Sequence, residues 1–380
     1  MCRKGKLLMA TLLVATAGLG VAGSLAIPDN VRASAVVTPA NAGEHARTIQ
    51  TMRPPKRARP VVAVLGDNRG TEAIDFVIPY AVLTQSGAAD VFAVGMSPGK
   101  LQLRPALAIQ VQLTTAELDR LYPKGADYVI VPAMFDHETP EVIAWIRSQA
   151  AKGATIVAIC AGAEILAYGG LLKDHDATTH WASVKTMLKA EPTIKWRPHR
   201  RYVADDGIVT TTGVSAAVPA SLAMVEAIAG RQRAADVARE LGVSEWGTGH
   251  DSNGFRLGSG LWTGVRNLLA EWGVQELGIP VSTGVNDIAL TLSADAWSRT
   301  YRSRAVTIAQ PESVRTRFGL QLLVDRHSKA GIAAMLPPVS GRAPARELDQ
   351  TFDRMASRFG EDTARFVAVQ LEHERGATRP

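Results

Sequence analysis

Cysteine is nearly missing from this chain: of 380 residues only Cys2 and Cys160 carry a thiol. Cys2 stands ahead of the first apolar run, so the body holds one thiol and can close no internal disulfide. No cysteine stands directly after that run either, which argues against a lipoprotein-type anchor. Charge of one sign is also in short supply. Lys and Arg number 42 against 36 Asp and Glu, a net charge of +6, with one local knot at Arg53, Lys56, Arg57 and Arg59. So modest an excess, without a basic face, argues against nucleic acid as a partner. Metal-ligand spacing is absent too. His250, Asp251, Glu271, Asp287 and Asp295 follow no ligand motif and read as surface or capping residues, so neither a metal nor any other cofactor is implied.

What is present is an ordinary globular composition, 46% hydrophobic and 21% charged, with length for a sizeable core and about two domains. Arg3, Lys4 and Lys6 precede 21 uncharged residues, Leu7 to Ile27. That is long enough to span a bilayer, and a basic flank before an apolar run is also a secretory signal. Ala33-Ser34-Ala35 offers a cleavage site. Anchor and cleaved signal stay open. Either way, the basic flank keeps the N-terminus inside and puts the body outside the cytoplasm. The expectation is a protein anchored in the membrane or secreted to the periplasm or another extracytoplasmic space. The membrane is a partner only if the leader is uncleaved. Residues 28–59, rich in Ala, Pro, Thr and Arg without periodicity, read as a linker.

From Val61 strands alternate with helices. Val61 to Leu65, Asp90 to Val94, Tyr128 to Val131 and the run ending at Cys160 are strands, several of them solidly apolar. Helices follow from Thr71, Thr115, Thr139, the residues after Cys160, Ser183 and Val218. Solid apolar strands alternating with helices argue for a parallel sheet covered on both faces, with ligands beyond the carboxyl ends of its strands. Cys160 lies at such an end. The run Thr155 to Ala167 reads as strand, sharp turn and helix, with Ala161 and Gly162 keeping the turn uncrowded. Such an elbow lifts a nucleophile above the sheet, and a helix N-terminus aimed at sulfur favours thiolate over thiol. The alternative is a buried structural cysteine.

Asp75-Phe76-Val77-Ile78-Pro79, the Ile159-to-Glu164 elbow, Ala177-Thr178-Thr179-His180-Trp181 and Thr212-Gly213-Val214-Ser215 occur in that order. Together they resemble the ThiJ/PfpI superfamily over about Val61 to Gly230. The branch looks like that of the isonitrile hydratases and of the sensor domain of AraC-type regulators. The resemblance implies the class I glutamine amidotransferase-like fold, a flavodoxin-like α/β sandwich with a mostly parallel sheet. It also implies roles: Cys160 as nucleophile, Asp75 as the carboxylate on the first helix, His180 as a pocket histidine and the Ala161 N–H as an oxyanion donor. Where the family has a Gly-Gly-type turn, this chain has Ala133 and Met134; Ala133 can still donate, while Met134 narrows the site. Ala161 replaces the histidine of peptidase branches, and no later His-x-Glu pair suits glutaminase chemistry.

Residues 231–380 form a mainly helical second region of unnamed type, expected as a lid or as the unit of a homodimer. Ala234 to Ser244 resembles half a helix-turn-helix, but helix breakers follow it where a recognition helix is needed. Two functions remain. One is a cysteine-dependent hydratase or hydrolase acting on a small electrophile. The other is a non-catalytic ligand- or redox-sensing module without a DNA-binding domain. Both take a small molecule as partner.

Overall fold

The structure, a computed structural model, describes residues 42–53, 56–255, 260–269 and 273–374. The apolar leader, Cys2, the first part of the expected linker and Glu271 lie outside the described residues. The first elements are α1 (Ala42–Thr51), β1 (Val61–Gly66), β2 (Thr71–Glu72), α2 (Ala73–Ser86), β3 (Asp90–Gly95), β4 (Lys100–Arg104) and β5 (Ala108–Gln110). Next come β6 (Leu113–Thr114), α3 (Thr115–Leu121), β7 (Tyr128–Val131), α4 (Pro140–Ala151), β8 (Thr155–Ala158), α5 (Gly162–Tyr168), β9 (Asp176–Ala177) and α6 (Val184–Ala190). The series continues with β10 (Lys195–Trp196), β11 (Tyr202–Asp205), β12 (Ile208–Thr211), α7 (Ala217–Leu241), α8 (Gly260–Leu269), β13 (Gln275–Pro280) and α9 (Asp287–Ser298). It ends with β14 (Ser303–Ile308), β15 (Ser313–Arg315), β16 (Gln321–Leu323), β17 (Ala334–Met335), α10 (Glu347–Phe359) and α11 (Glu361–Gln370).

Successive strand residues point to opposite faces. In β1, Val62 and Val64 enter one core while Val61, Ala63 and Leu65 enter another, and all five are buried. Such a strand must be covered on both sides, which explains its unbroken apolar run. The central sheet has the order β11-β12-β8-β7-β1-β3-β6, parallel throughout except for the β11–β12 hairpin. Helices α2 and α7 supply the core on one face, α4 and α5 on the other. This is the flavodoxin-like sandwich expected. The chain leaves β1 for β3 on one side and later returns to β7 on the other. The loops after β1, β7 and β8 therefore gather at one end, where such sheets bind ligands.

Residues 42–53 differ from the linker expectation. Helix α1 packs on the body: Met52 is fully buried, its carbonyl accepts from the Tyr128 hydroxyl at 2.6 Å, and His45 pairs with Glu226 at 3.1 Å. The second region joins the first without a seam. Helix α9 lies on α2, and Leu277, Trp297, Phe352 and Val367 belong to the same buried cluster as Val62 and Val64. Besides its helices, this region has a parallel trio, β14-β13-β17, and a hairpin, β15–β16, that extends the β5-β4-β2 ribbon of the first half. The window Val214–Leu241 is long and apolar enough to cross a bilayer, but its residues pack on α2 and Gly230 breaks the helix with φ 85°.

Candidate active site

Cys160 stands between β8 and α5 with φ 55°, a left-handed conformation that costs a non-glycine residue about 1–3 kcal/mol. The surroundings hold it there. Its N–H donates to Thr211 Oγ1 at 3.2 Å, and its carbonyl accepts from Thr179 Oγ1 at 2.9 Å. The N–H of Ile159 reaches Val131 O at 3.0 Å. Gly162 starts α5 hard against β7: a Cβ there would lie 2.1 Å from the Val131 carbonyl oxygen, so only glycine lets the helix begin here. The sequence-derived elbow is present as read, and the Ala161 N–H is directed to the sulfur.

Asp75 sits in the first turn of α2, completely buried. Its Oδ2 accepts from the Ala133 N–H at 3.2 Å, while Oδ1 is buried without a partner among the described residues. The helix is capped by Glu72 rather than by Thr71 as expected, because the Glu72 carboxylate reaches the Asp75 N–H at 2.6 Å. The other oxygen of Glu72 takes Arg299 Nη2 at 2.7 Å, and Arg299 Nε donates to Asp295 at 2.5 Å. Two carboxyl groups thus hold one guanidinium, whose charge also reaches Asp75. Burial pushes Asp75 up to about 7 against the pull of the Ala133 N–H and Glu72. Glu72 is raised as well, by burial and then by Asp75 and Asp295. Burial alone would lower Arg299, but Asp295 and Glu72 outweigh it and hold the proton more firmly.

Two expectations change here. Cys160 is pushed well above the usual thiol range by burial and by Asp75, Glu72 and Glu372, with only the Ala161 N–H opposing. The resting group is a thiol, not a thiolate, because burial and three carboxylates weigh more than one backbone N–H at a short helix end. His180 does not present a free ring nitrogen to the sulfur. Its Nδ1 accepts the Ala182 N–H at 3.3 Å, which leaves the proton on Nε2, and that atom donates to Gln370 O at 3.1 Å. Burial lowers its pKa, so it stays neutral. It clamps the C-terminal segment through Gln370, with both ring nitrogens engaged. The Ala133 N–H, expected as an oxyanion donor, is engaged by Asp75. Met134 is buried, its backbone bridging to Thr71, and with Ala133 it closes the loop over β2.

Sequence reading missed Glu72, Arg299 and Glu372, and it took Asp295 and His250 for surface or capping residues, whereas both side chains are buried. Of these only Glu72 carried a local signal, three residues ahead of Asp75 on one helix start. His137 lies on the loop after β7 and pairs with the buried Glu164 of α5 at 2.7 Å; burial lowers its pKa but Glu164 overrides this and raises it. The His250, Asp251, Asp287 and Asp295 set holds no metal cluster among the described residues. A surface cleft around Asn286, Arg317 and Gly341 shares no residue with the Cys160 site.

A parallel sandwich with a strained cysteine elbow and a buried acid on the first helix defines the class. Residues 61–227 match the DJ-1/PfpI family, and the chain belongs to that family. It is 30% identical over 168 residues to an isonitrile hydratase from Pseudomonas putida, covering 42% of this chain and 68% of the relative. It is 36% identical over 101 residues to the HTH-type transcriptional regulator GlxA of Rhizobium meliloti, covering 27% of this chain but only 29% of the regulator. A crystal structure of Drosophila melanogaster DJ-1beta aligns with a TM-score of 0.44 at 22% identity, over 49% of this chain and 99% of that one.

Proposed function

We propose that the protein is a cysteine-dependent hydratase or hydrolase acting on a small uncharged electrophile. The observation that carries this reading is the unpartnered, buried Oδ1 of Asp75, a carboxyl with its pKa near 7, close enough to Cys160 for its charge to raise the thiol. A neutral thiol with an adjacent base near neutrality can pass its proton at the moment of attack. For an isonitrile, the substrate class of the hydratase relative, the steps balance as follows. The thiol proton passes to Asp75, sulfur bonds to the terminal carbon, and Asp75 returns the proton to that carbon, giving a thioimidate. Water then adds to the carbon, the carbon–sulfur bond breaks, the thiol regains a proton and an N-substituted formamide leaves. The buried, carboxylate-rich surroundings of Cys160 favour neutral substrates, since a further negative charge would be desolvated and repelled.

Residues 42–380, purified and screened against small isonitriles, aldehydes and amides, are expected to turn over at least one of these. Cys160→Ser abolishes the activity, and Asp75→Asn lowers kcat/KM by about 10²–10⁴-fold. The wild-type profile rises with pH through about 7, because Asp75 must be ionised to accept the proton. Unchanged turnover in Cys160→Ser overturns the reading. A sensing role is favoured by one observation, that Cys160 is 7% exposed and covered by the second region. Absence of turnover with all three substrate classes, together with saturable ligand-dependent protection of Cys160, selects that reading.

A further inference from the structure

The site contains a carboxylate that the far end of the chain supplies. Glu372 follows α11 with φ 48°, a conformation uncommon away from glycine, and its side chain is 1% exposed. Oε1 accepts the Trp181 N–H at 2.6 Å, Oε2 accepts the Gly213 N–H at 2.8 Å, and His250 Nε2 stands 3.4 Å from Oε2. The His250 ring lies flat on Phe255, centroids 5.3 Å apart. Gly213 makes the space: a Cβ there would come within 2.8 Å of Glu372 Cγ. The backbone around Glu372 is fastened at four points. Trp181 Nε1 donates to Val369 O, His180 Nε2 to Gln370 O, Ser215 N to Leu371 O and Ser215 Oγ to Glu372 O, over 2.7–3.2 Å.

The donors and the acceptor come from different parts of the molecule. Trp181 and Gly213 lie within the family-matched residues 61–227, whereas Glu372 does not. Removed from the carboxylate, two backbone N–H groups would face a buried space unpaired, at about 1–3 kcal/mol each. Such a cradle of N–H groups binds carboxylate whichever chain segment or molecule provides it. Glu372 is also one of the carboxylates that raise the Cys160 thiol.

We propose that Trp181, Gly213 and His250 form a carboxylate-binding subsite beside Cys160, and that Glu372 occupies it as a tethered competitor of small carboxylate ligands. When the cradle stands empty, the segment from Val369 to Glu372 loosens and the cysteine opens; a carboxylate seated there shields the sulfur again. The inference goes beyond the enzymatic reading and does not require Cys160 to turn over any substrate.

The test uses residues 42–380, which keep α1 packed on the body, and acetate as probe. In Glu372→Ala, iodoacetamide labels Cys160 about tenfold faster than in wild type, because the closing strap has lost its anchor. Acetate at tens of millimolar slows this labelling and raises the variant's Tm by about 2 °C or more. Neutral acetamide does neither, and wild type, whose cradle is filled, shows no acetate shift. Repeating the Tm measurement in the Cys160→Ser background keeps this arm independent of any cysteine chemistry. Glu372→Gln serves if the alanine variant fails to fold. It keeps the volume but turns an NH₂ towards one donor, and gives intermediate labelling. A folded variant whose Tm and labelling ignore acetate, or labelling at the wild-type rate in both variants, overturns the proposal.

Discussion

Glu72 and Asp295 share one guanidinium, that of Arg299, beside the buried Asp75, and this cluster of acids sets how the molecule responds to pH. Folded, Asp75 keeps its proton up to about 7; in an ordinary setting it loses it near 3.8. Folding therefore takes up a proton between these values. Stability is fully present below about 4 and declines as pH rises to about 7, by roughly 4 kcal/mol at most for so buried a group. Glu72 is shifted in the same direction. Asp75→Asn removes the charge but keeps the shape. Its Tm is expected to match wild type near pH 3.5 and to exceed it by a growing margin up to pH 8, read by calorimetry across that range. A variant equally destabilised at both pH values would show that the carboxyl is ionised throughout. Arg299→Met leaves the carboxyls without their cation and is expected to cost about 3 kcal/mol in denaturant unfolding at neutral pH.

At the level of elements, the elbow depends on how closely α5 starts against β7. Gly162→Ala pushes a methyl group onto the Val131 carbonyl. The expected loss is about 3 kcal/mol in urea unfolding, together with loss of the protected state of Cys160, and a variant as stable as wild type would place α5 further out than described. This elbow could be read from the chain because its signals are contiguous: an apolar strand, a cysteine, two small residues and a helix. The strands of the sheet were legible for a related reason, since burial on both faces leaves unbroken apolar runs such as Val61 to Leu65. Strand β13 was not, because Gln275 and Glu276 open it and Gly278 and Pro280 interrupt it. Helix α1 hid in Ala- and Thr-rich sequence whose contacts are all tertiary. Arg299 and Glu372 carried no signal at all. Each is an isolated polar residue more than eighty positions from Cys160 in sequence, brought in only by the packing of α9 and α11.

For the whole molecule, one buried cluster running from Val62 to Val367 means that the two halves unfold together. A single cooperative thermal transition is expected for residues 60–380. Residues 60–230 alone, deprived of α9, Arg299 and the β15–β16 hairpin, are expected to bind hydrophobic dyes and to give no such transition; a folded fragment would contradict this. We also propose that the body works outside the cytoplasm, on the basis of Arg3, Lys4 and Lys6 before the apolar run. A phosphatase reporter fused after residue 60 is expected to be active, and a reporter active only in the cytoplasm would count against export.

The strap at Glu372 has a consequence for how the chain comes into being. Cys160 leaves the ribosome long before its cover does: Arg299 follows 139 residues later (299 minus 160) and Glu372 follows 212 residues later (372 minus 160). At about 5–20 residues per second, the thiol stays open to oxidants and to stray partners for some 10–40 seconds of synthesis. The cysteine centre is thus the last part of the protein to mature, and an interrupted chain would carry a bare elbow.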